Sequence, residues 1–320
     1  MRKISFVWSC FVMTFFVACQ QAEVENPKAD DLRMSIVASI NGQSESPESR
    51  YTGTDPSNVV FEAGDNIGLF VDDKPAIEWI YGNGGWNPNG EMVYWPNKNE
   101  HTFRAFYPYD EANDFTSVPM PKLLNQDGSI ESISACDFLV ANKTQSYGDD
   151  GIVEFTGAES SFKHVSTLLK LKFKEGADLE GAILNKVTIE GSYIVSPSYY
   201  SFENDGTVTL QPDDASDVLT ATDLAYGMSG EETLYFIVNE IQNATTPFKI
   251  SVEYTVNEKS YMAQMSGFAN NSFVGGMCQS YTITIQNNSL VISGAEISPW
   301  GVGESLDDIV INGEEIPASV

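Results

Sequence analysis

Few residues of this 320-residue chain have the type and spacing that catalysis requires. The two histidines, His101 and His164, each lie beside an apolar stretch that predicts a strand, where a packed, hydrogen-bonded histidine is commoner than a general base. The sequence has no Gly-x-Ser-x-Gly elbow, no His-Glu-x-x-His zinc motif and no phosphate-binding loop. We therefore predict no catalytic residues and a protein that is not an enzyme.

Carboxylates are abundant, with 45 Asp and Glu. So many acids make any chosen pair uninformative as the acid and base of a glycoside hydrolase, although a secreted hydrolase stays open as an alternative. Three Asp-rich stretches, residues 148–151, 203–206 and 213–217, resemble calcium loops but lack the full ligand spacing, so we interpret them as turns. We predict no metal site and no cofactor.

The charge excludes one class of partner. Only 17 Lys and Arg oppose the 45 acids, which gives a formal net charge of −28 at pH 7. A field of this sign repels phosphate backbones and anionic headgroups, so nucleic acid is not an expected partner.

One aromatic loop could bind a sugar. Residues 81–90 carry Tyr81 and Trp86 on either side of a Gly-rich turn, and their rings could stack on a sugar ring. A tight hairpin with aromatic ends explains the pattern equally well, and we favour the hairpin.

The first residues predict export. Arg2 and Lys3 precede an apolar run over residues 4–18. Fifteen helical residues span about 22 Å, which is short of the ~30 Å core of a bilayer. Residues 1–18 are therefore interpreted as a signal peptide and not as a membrane anchor.

The end of the signal resembles the lipobox of bacterial lipoproteins. Phe16, Val17 and Ala18 precede Cys19, and a polar stretch follows. The resemblance implies cleavage before Cys19 and lipid on its sulfur, with palmitate among the acyl chains; a secretory signal with a chance cysteine is the alternative. Cys136 and Cys278 remain, and although they could pair, we predict buried free thiols.

Short strands dominate from residue 32 onward. Residues 34–40 alternate, with Met34, Ile36, Ala38 and Ile40 on one face. The further predicted strands are short and flanked by turn residues, and they span residues 67–71, 77–81, 92–95, 101–107, 138–140, 152–155, 169–174, 187–189, 199–202, 207–210, 234–238, 248–256, 261–265, 280–285 and 290–292.

These elements predict an all-β fold of two antiparallel β-sandwiches in series. We place the N-terminal sandwich at residues 51–158 and the C-terminal sandwich at residues 159–302. An acidic tail, residues 303–320, follows. The polar residues 41–56 predict an exposed connection after the first strand.

Ordered sequence blocks resemble the fimbrillins, the lipoprotein pilus subunits (type V pili) of Bacteroides-type bacteria. The blocks cover roughly residues 30–300 and lie at residues 61–71, 93–96, 103–109, 137–141, 162–171 and 290–300. The resemblance implies two tandem transthyretin-like β-sandwiches, an outer-membrane lipoprotein, and a structural role in a cell-surface fimbrium that serves cell adhesion.

The resemblance also implies how the subunit assembles. An arginine-specific protease would cut between Arg50 and Tyr51 and remove a propeptide, residues 19–50, together with the first strand. A strand of a neighbouring fimbrillin subunit would then fill the vacated groove by β-augmentation. The implied partners are other subunits, the protease and an unidentified adhesion ligand.

Several alternatives stay open at this point. Arg33 is another possible cleavage site, and the tail offers residues 309–311 as a donor strand with only three apolar positions. Stalk, tip and anchor roles all fit the sequence. A surface glycan-binding lipoprotein, which would share the signal and the sandwiches, is the competing function.

Overall fold

A computed structural model describes residues 32–41, 56, 59–82, 84–177, 179–203, 206–211, 217–286 and 289–300. Within these residues the chain is built of strands and turns with two short α-helices, α1 (Ile130–Ser134) and α2 (Gly157–Ser160). The prediction of an all-β fold is confirmed. The tandem transthyretin-like arrangement stays a prediction. No described helix is both long and apolar enough to cross a membrane.

The strands of the first half are β1 (Ser35–Ala38), β2 (Asn66–Val71), β3 (Ile77–Gly82), β4 (Gly85–Pro88), β5 (Glu100–Tyr107), β6 (Val118–Pro119), β7 (Leu139–Ser146), β8 (Ile152–Phe155) and β9 (Lys163–His164). Those of the second half are β10 (Thr167–Glu175), β11 (Ile183–Glu190), β12 (Ser198–Ser201), β13 (Thr207–Leu210), β14 (Val218–Ala221), β15 (Tyr226–Gly227), β16 (Ser229–Val238), β17 (Lys249–Val256), β18 (Lys259–Ser266), β19 (Met277–Gln286) and β20 (Ser289–Pro299).

Six antiparallel strands form the sheet of the first half, in the order β4-β3-β2-β5-β7-β9. Alternation along β5 buries His101, Phe103, Ala105 and Tyr107 on one face. Because side chains alternate between the two faces of a strand, every second one points toward the core, and this pattern allowed the sequence to locate the strand. The first strand, β1, closes the same core and pairs in parallel with β8.

The second half is one large sheet around a second core. Its main path runs β14-β11-β17-β18-β20-β19-β10-β16, and β15 pairs with β11. Most pairs are antiparallel, but β10 and β19 are parallel, and β18 and β20 share a single parallel pair. Alternation within one strand carries no information about the direction of its neighbour, so the sequence did not reveal these parallel pairs.

Several strand boundaries differ from the sequence prediction, and two of the differences have a clear physical reason. Residues 92–95 form only an isolated bridge, Arg33 with Tyr94, and Pro96, which has no N–H to continue a ladder, follows directly. β20 continues to Pro299, past the predicted end at residue 292, because it pairs with β19 over its whole length.

The two halves share contacts across the predicted join. Leu123, Ile133 and Cys136 belong to the second core although they precede β10. The buried Gln126 donates through Nε2 to the carbonyl of Ile237 and accepts from its N–H through Oε1, both at 2.7 Å. The hairpin β12–β13 also joins β6. The boundary at residues 158 and 159 stays a prediction.

Candidate functional site

The candidate site is the place where residues 32–41 cross the first core. Met34, Ile36, Ala38 and Ile40 are at most 4% exposed, whereas Val37 is 42% exposed. The alternation that the sequence predicts is therefore present. Four side chains place the segment in the core, and on the opposite face Val37 is exposed, Ser35 is half-buried and Ser39 is buried.

The start of this segment is bonded to residues 93–95. The N–H of Met34 donates to the carbonyl of Val93 at 2.9 Å, and the N–H of Trp95 donates to the carbonyl of Leu32 at 2.8 Å. Because Arg33 lies between these bonds, its backbone is tied to the fold on both sides.

The middle and the end of the segment are bonded to β8 and to Phe162. β1 lies parallel to β8 in a two-stranded sheet. The N–H of Ser39 donates to Phe155, the N–H of Phe162 donates to Ser39, and the N–H of Asn41 donates to Phe162, each at 2.9 Å. A strand that replaced β1 would have to run parallel to β8 and antiparallel to residues 93–95 to make the same bonds.

Trp300 closes the end of the site. The side-chain amide of Asn41 donates to the carbonyl of Trp300 at 2.8 Å, and the indole N–H of Trp300 donates to the carbonyl of Pro56 at 3.0 Å. The indole stacks on His164 with ring centres 3.7 Å apart, and Nδ1 of His164 lies 2.8 Å from Asp137 Oδ1. Trp300 is therefore hydrogen-bonded to Asn41 and to Pro56, which lie on either side of Arg50 in the sequence.

Both histidines are packed and hydrogen-bonded, as the sequence predicts. The His101 ring bonds through Nδ1 to Asp72 Oδ2 at 2.7 Å and through Nε2 to Asn97 Oδ1 at 3.1 Å. Partial burial raises the pKa of Asp72, but hydrogen bonds from the Thr102 N–H and from His101 outweigh it and hold the pKa below its ordinary value. These contacts tie the turn after β2 to the start of β5 and engage both ring nitrogens of His101.

The aromatic loop is a hairpin of β3 and β4, as favoured from the sequence. Trp86 is only 5% exposed and packs against Phe61 and Tyr81 with ring centres 4.9 and 5.2 Å away. The face of this indole is in the core, whereas Tyr81 is half-buried, so the glycan-binding alternative loses one of the two rings that the sequence had offered for stacking.

The two remaining cysteines, Cys136 and Cys278, are buried free thiols, which confirms the prediction. Burial, with a smaller contribution from the charge of Asp137, raises the pKa of the Cys136 thiol to about 11. Within the described ranges, no three His, Cys, Asp or Glu side chains cluster as a metal site.

Three predicted site residues, Cys19, Arg50 and Tyr51, lie outside the described residues, as do the signal peptide and the tail. The sequence did not point to the roles of Asn41 and Trp300 at the site. They are 259 residues apart, and no local pattern links a strand end to a tryptophan at that distance.

The profile of one protein family covers most of the chain. The fimbrillin-like family matches residues 49–300. The chain belongs to the fimbrillin-like family. Fimbrillin-like proteins are structural proteins, so this chain is not an enzyme. Membership of the family supports the role of a pilus subunit at the cell surface, which associates with other fimbrial subunits.

Solved structures agree with this fimbrillin-like fold. The chain is similar to a proposed cell adhesion protein of Bacteroides ovatus, with a TM-score of 0.60 and 21% identity, over 85% of this chain and 99% of that one. A second, of Bacteroides uniformis, gives a TM-score of 0.57 and 18% identity, over 84% and 98%. At these identities the likeness shows the fold alone. No curated protein sequence matches this fimbrillin-like chain.

Proposed function

We propose that this protein is an outer-membrane lipoprotein subunit of an adhesive pilus, and that it polymerises by exchange of its first strand after cleavage at Arg50. The observation that carries the proposal is the packing of residues 32–41 in the first core. They bury four side chains there and make backbone hydrogen bonds to residues 93–95, β8 and Phe162. Removing them would leave an apolar groove bordered by unpaired backbone groups, which favours insertion of another strand.

The local environments of the four arginines favour Arg50 as the cleavage site. Arg2, Arg33, Arg50 and Arg104 are the four arginines of the sequence, and Arg2 lies in the predicted signal. Arg33 is tied by backbone bonds on both sides, and Arg104 lies in β5 between two paired strands. A protease needs an extended segment free of the fold, so an arginine-specific enzyme would have to open the structure at Arg33 or Arg104. Arg50, in the polar connection, is the site we propose.

The shape of the site limits the donor strand. The buried apolar side chains of the resident strand are Met34, Ile36, Ala38 and Ile40, and Ala38 is fully buried. A donor would present four apolar side chains at alternate positions, with a small one at the third. Residues 308–312 of the tail offer only two apolar side chains on one face, Ile309 and Ile311. We therefore propose a tip or accessory position rather than a stalk subunit that donates its own tail. An anchor would keep its lipid and its first strand, so a chain that stays uncut in cells would indicate an anchor and contradict the proposed exchange.

The cleavage test uses the full chain and an arginine-specific protease. We expect one cut between Arg50 and Tyr51, followed by SDS-resistant oligomers when other fimbrial subunits that supply a donor strand are present. Arg50→Ala should abolish both, and Arg33→Ala, the matched control, should behave as wild type. Oligomers from protease-treated Arg50→Ala would show that the proposal is wrong. A protein that bound polysaccharide in an affinity gel and formed no oligomers would be a glycan-binding lipoprotein instead.

The lipid is tested separately. Cys19 follows a lipobox-like stretch, and acyl chains would hold the subunit at a membrane because each buried CH₂ contributes about 0.8 kcal/mol. Radioactive palmitate should label the wild-type protein in cells and should not label Cys19→Ser. Equal labelling of the two would exclude Cys19 as the modified residue.

A further inference from the structure

β7 and β8 follow one another in the chain, and yet their backbones do not pair. Within the described residues, β7 pairs with β5 and β9, whereas β8 pairs with β1 alone. β8 also forms the long border of the proposed groove. It would therefore lose its one described strand neighbour at the moment when the first strand leaves.

The side chain of Gln145 occupies the place of a strand on the other edge of β8. Its Nε2 donates to the carbonyl of Ile152 at 2.7 Å, and its Oε1 accepts from the N–H of Glu154 at 3.4 Å. In a parallel ladder, a residue bonds to the residues before and after the one it faces. The amide of Gln145 therefore bonds to β8 as a backbone amide opposite Val153 would.

Two further side chains donate hydrogen bonds to the backbone of β8 and of Gly151, the residue before it. Nζ of Lys143, also on β7, donates to the carbonyl of Glu154 at 2.9 Å. The indole N–H of Trp95 donates to the carbonyl of Gly151 at 2.8 Å. On the core side, Val153 and Phe155 are fully buried. The bonds of Gln145 and Lys143 involve no residue of 32–41 and would persist after that segment had gone, whereas the Gly151 carbonyl would lose the bond that it also accepts from the N–H of Ser35.

We propose that Gln145 is a positioning residue of the exchange site, which holds β8 in an extended conformation while the groove is empty, so that an incoming strand finds a preformed edge. The inference rests on the proposed function. A side-chain tether suits this role because it satisfies one edge of β8 and leaves the other edge open. A preformed edge lowers the ordering cost of binding and raises the association rate.

The test measures strand binding to the cut chain. The full chain is cut after Arg50 and immobilised, and its first segment is washed out in urea. After return to buffer, a labelled synthetic peptide of residues 32–41 is applied, and its association and dissociation rates are measured. We expect Gln145→Ala to slow association about tenfold, because β8 must first be ordered, and to change dissociation less.

Two variants serve as comparisons. Gln145→Glu keeps an oxygen for the Glu154 N–H but loses the donor to Ile152, so it should also slow association. Thr144→Ala is the matched control, because Thr144 is an exposed neighbour on β7 whose hydroxyl lies near that of Thr102 on β5, away from β8. It should bind the peptide as wild type does.

Each outcome has one meaning. Peptide binding to the wild type, with the same association rate for Gln145→Ala, would overturn the role of Gln145 and leave strand exchange standing. A faster dissociation with unchanged association would make Gln145 a stabiliser of the filled groove only, which also overturns the inference. A washed wild-type chain that does not bind the peptide would overturn the proposed function itself.

Discussion

Gly151 lies where the first strand enters the core, and its position leaves no room for a side chain. Its φ is +69°, and a Cβ added there would lie 2.3 Å from the carbonyl oxygen of Arg33. We predict that Gly151→Ala costs about 1–2 kcal/mol for the left-handed backbone and about 1–3 kcal/mol more for displacing residue 33. Urea unfolding of the uncut chain measures the total.

Gly157→Ala separates these two costs. Gly157 has a similar φ of +78°, but no atom lies within 4 Å of its Cβ position, so only the backbone cost applies. In Gly151→Ala, Arg33 should also become open to an arginine-specific protease, because its backbone bonds are loosened. Equal unfolding energies for the two variants would mean that the Arg33 contact does not constrain the first strand.

At the residue scale, the sequence predicted types of environment better than partners. It predicted packed histidines, free thiols, a turn at residues 148–151 and alternating burial along residues 34–40, because each depends on local pattern. The partner of His164 is Asp137, 27 residues away, and its ring stacks on Trp300. Such contacts come from the packing of distant elements, and nothing near His164 in the sequence specifies them.

At the element scale, strands were predictable and their neighbours were not. Alternation located β5, β10 and β17, since apolar side chains recur at every second position there. The parallel pairing of β1 with β8 depends on how the chain crosses the core, which is a non-local property. The sequence also does not reveal that β7 and β8 do not pair with each other, because a short connection between two strands ordinarily predicts a hairpin.

At Ala38 the groove leaves the least space for a side chain of the first strand. It is fully buried on β1. We predict that Ala38→Leu destabilises the uncut chain by about 1–3 kcal/mol, because three extra carbons must fit into a packed core. Chemical denaturation gives this number, and a residue 32–41 peptide with leucine at position 38 should bind the cut chain more weakly than the natural peptide.

Val37→Leu is the matched control for this element. Val37 directly precedes Ala38 on the same strand and points to solvent, so its enlargement should change stability by less than about 0.5 kcal/mol. A tolerated leucine at position 38, with stability equal to that of Val37→Leu, would show that the groove does not select a small third side chain.

At the scale of the whole molecule, the two halves are joined more closely than the sequence implies. Residues that precede the predicted boundary complete the second core, and the β12–β13 hairpin packs a cluster of aromatic rings against the first sheet. Trp300, at the end of the last strand, is bonded to Asn41 at the end of the first segment. The C-terminal half therefore takes part in holding the strand that we propose is exchanged.

This long-range contact predicts how long the cut strand stays bound. Asn41 has a φ of +50°, which aspartate tolerates, and Asn41→Asp keeps the shape while it loses the donor to the Trp300 carbonyl. We predict that residues 19–50 leave the cut chain about tenfold faster in this variant, because the loss of a hydrogen bond leaves a carboxylate facing a carbonyl oxygen. Release is followed by size-exclusion chromatography after cleavage.

Two comparisons decide whether Trp300 carries the effect. Trp300→Phe keeps a ring over His164 but loses the bond to Pro56, which loosens the carbonyl that Asn41 uses, so release should also be faster. Asn87→Asp is the control, because the Asn87 amide bonds only within the β3–β4 hairpin in the described structure. If Asn41→Asp and Trp300→Phe released the segment at the wild-type rate, the groove alone would retain the cut strand, and the end of β20 would have no part in the timing of exchange.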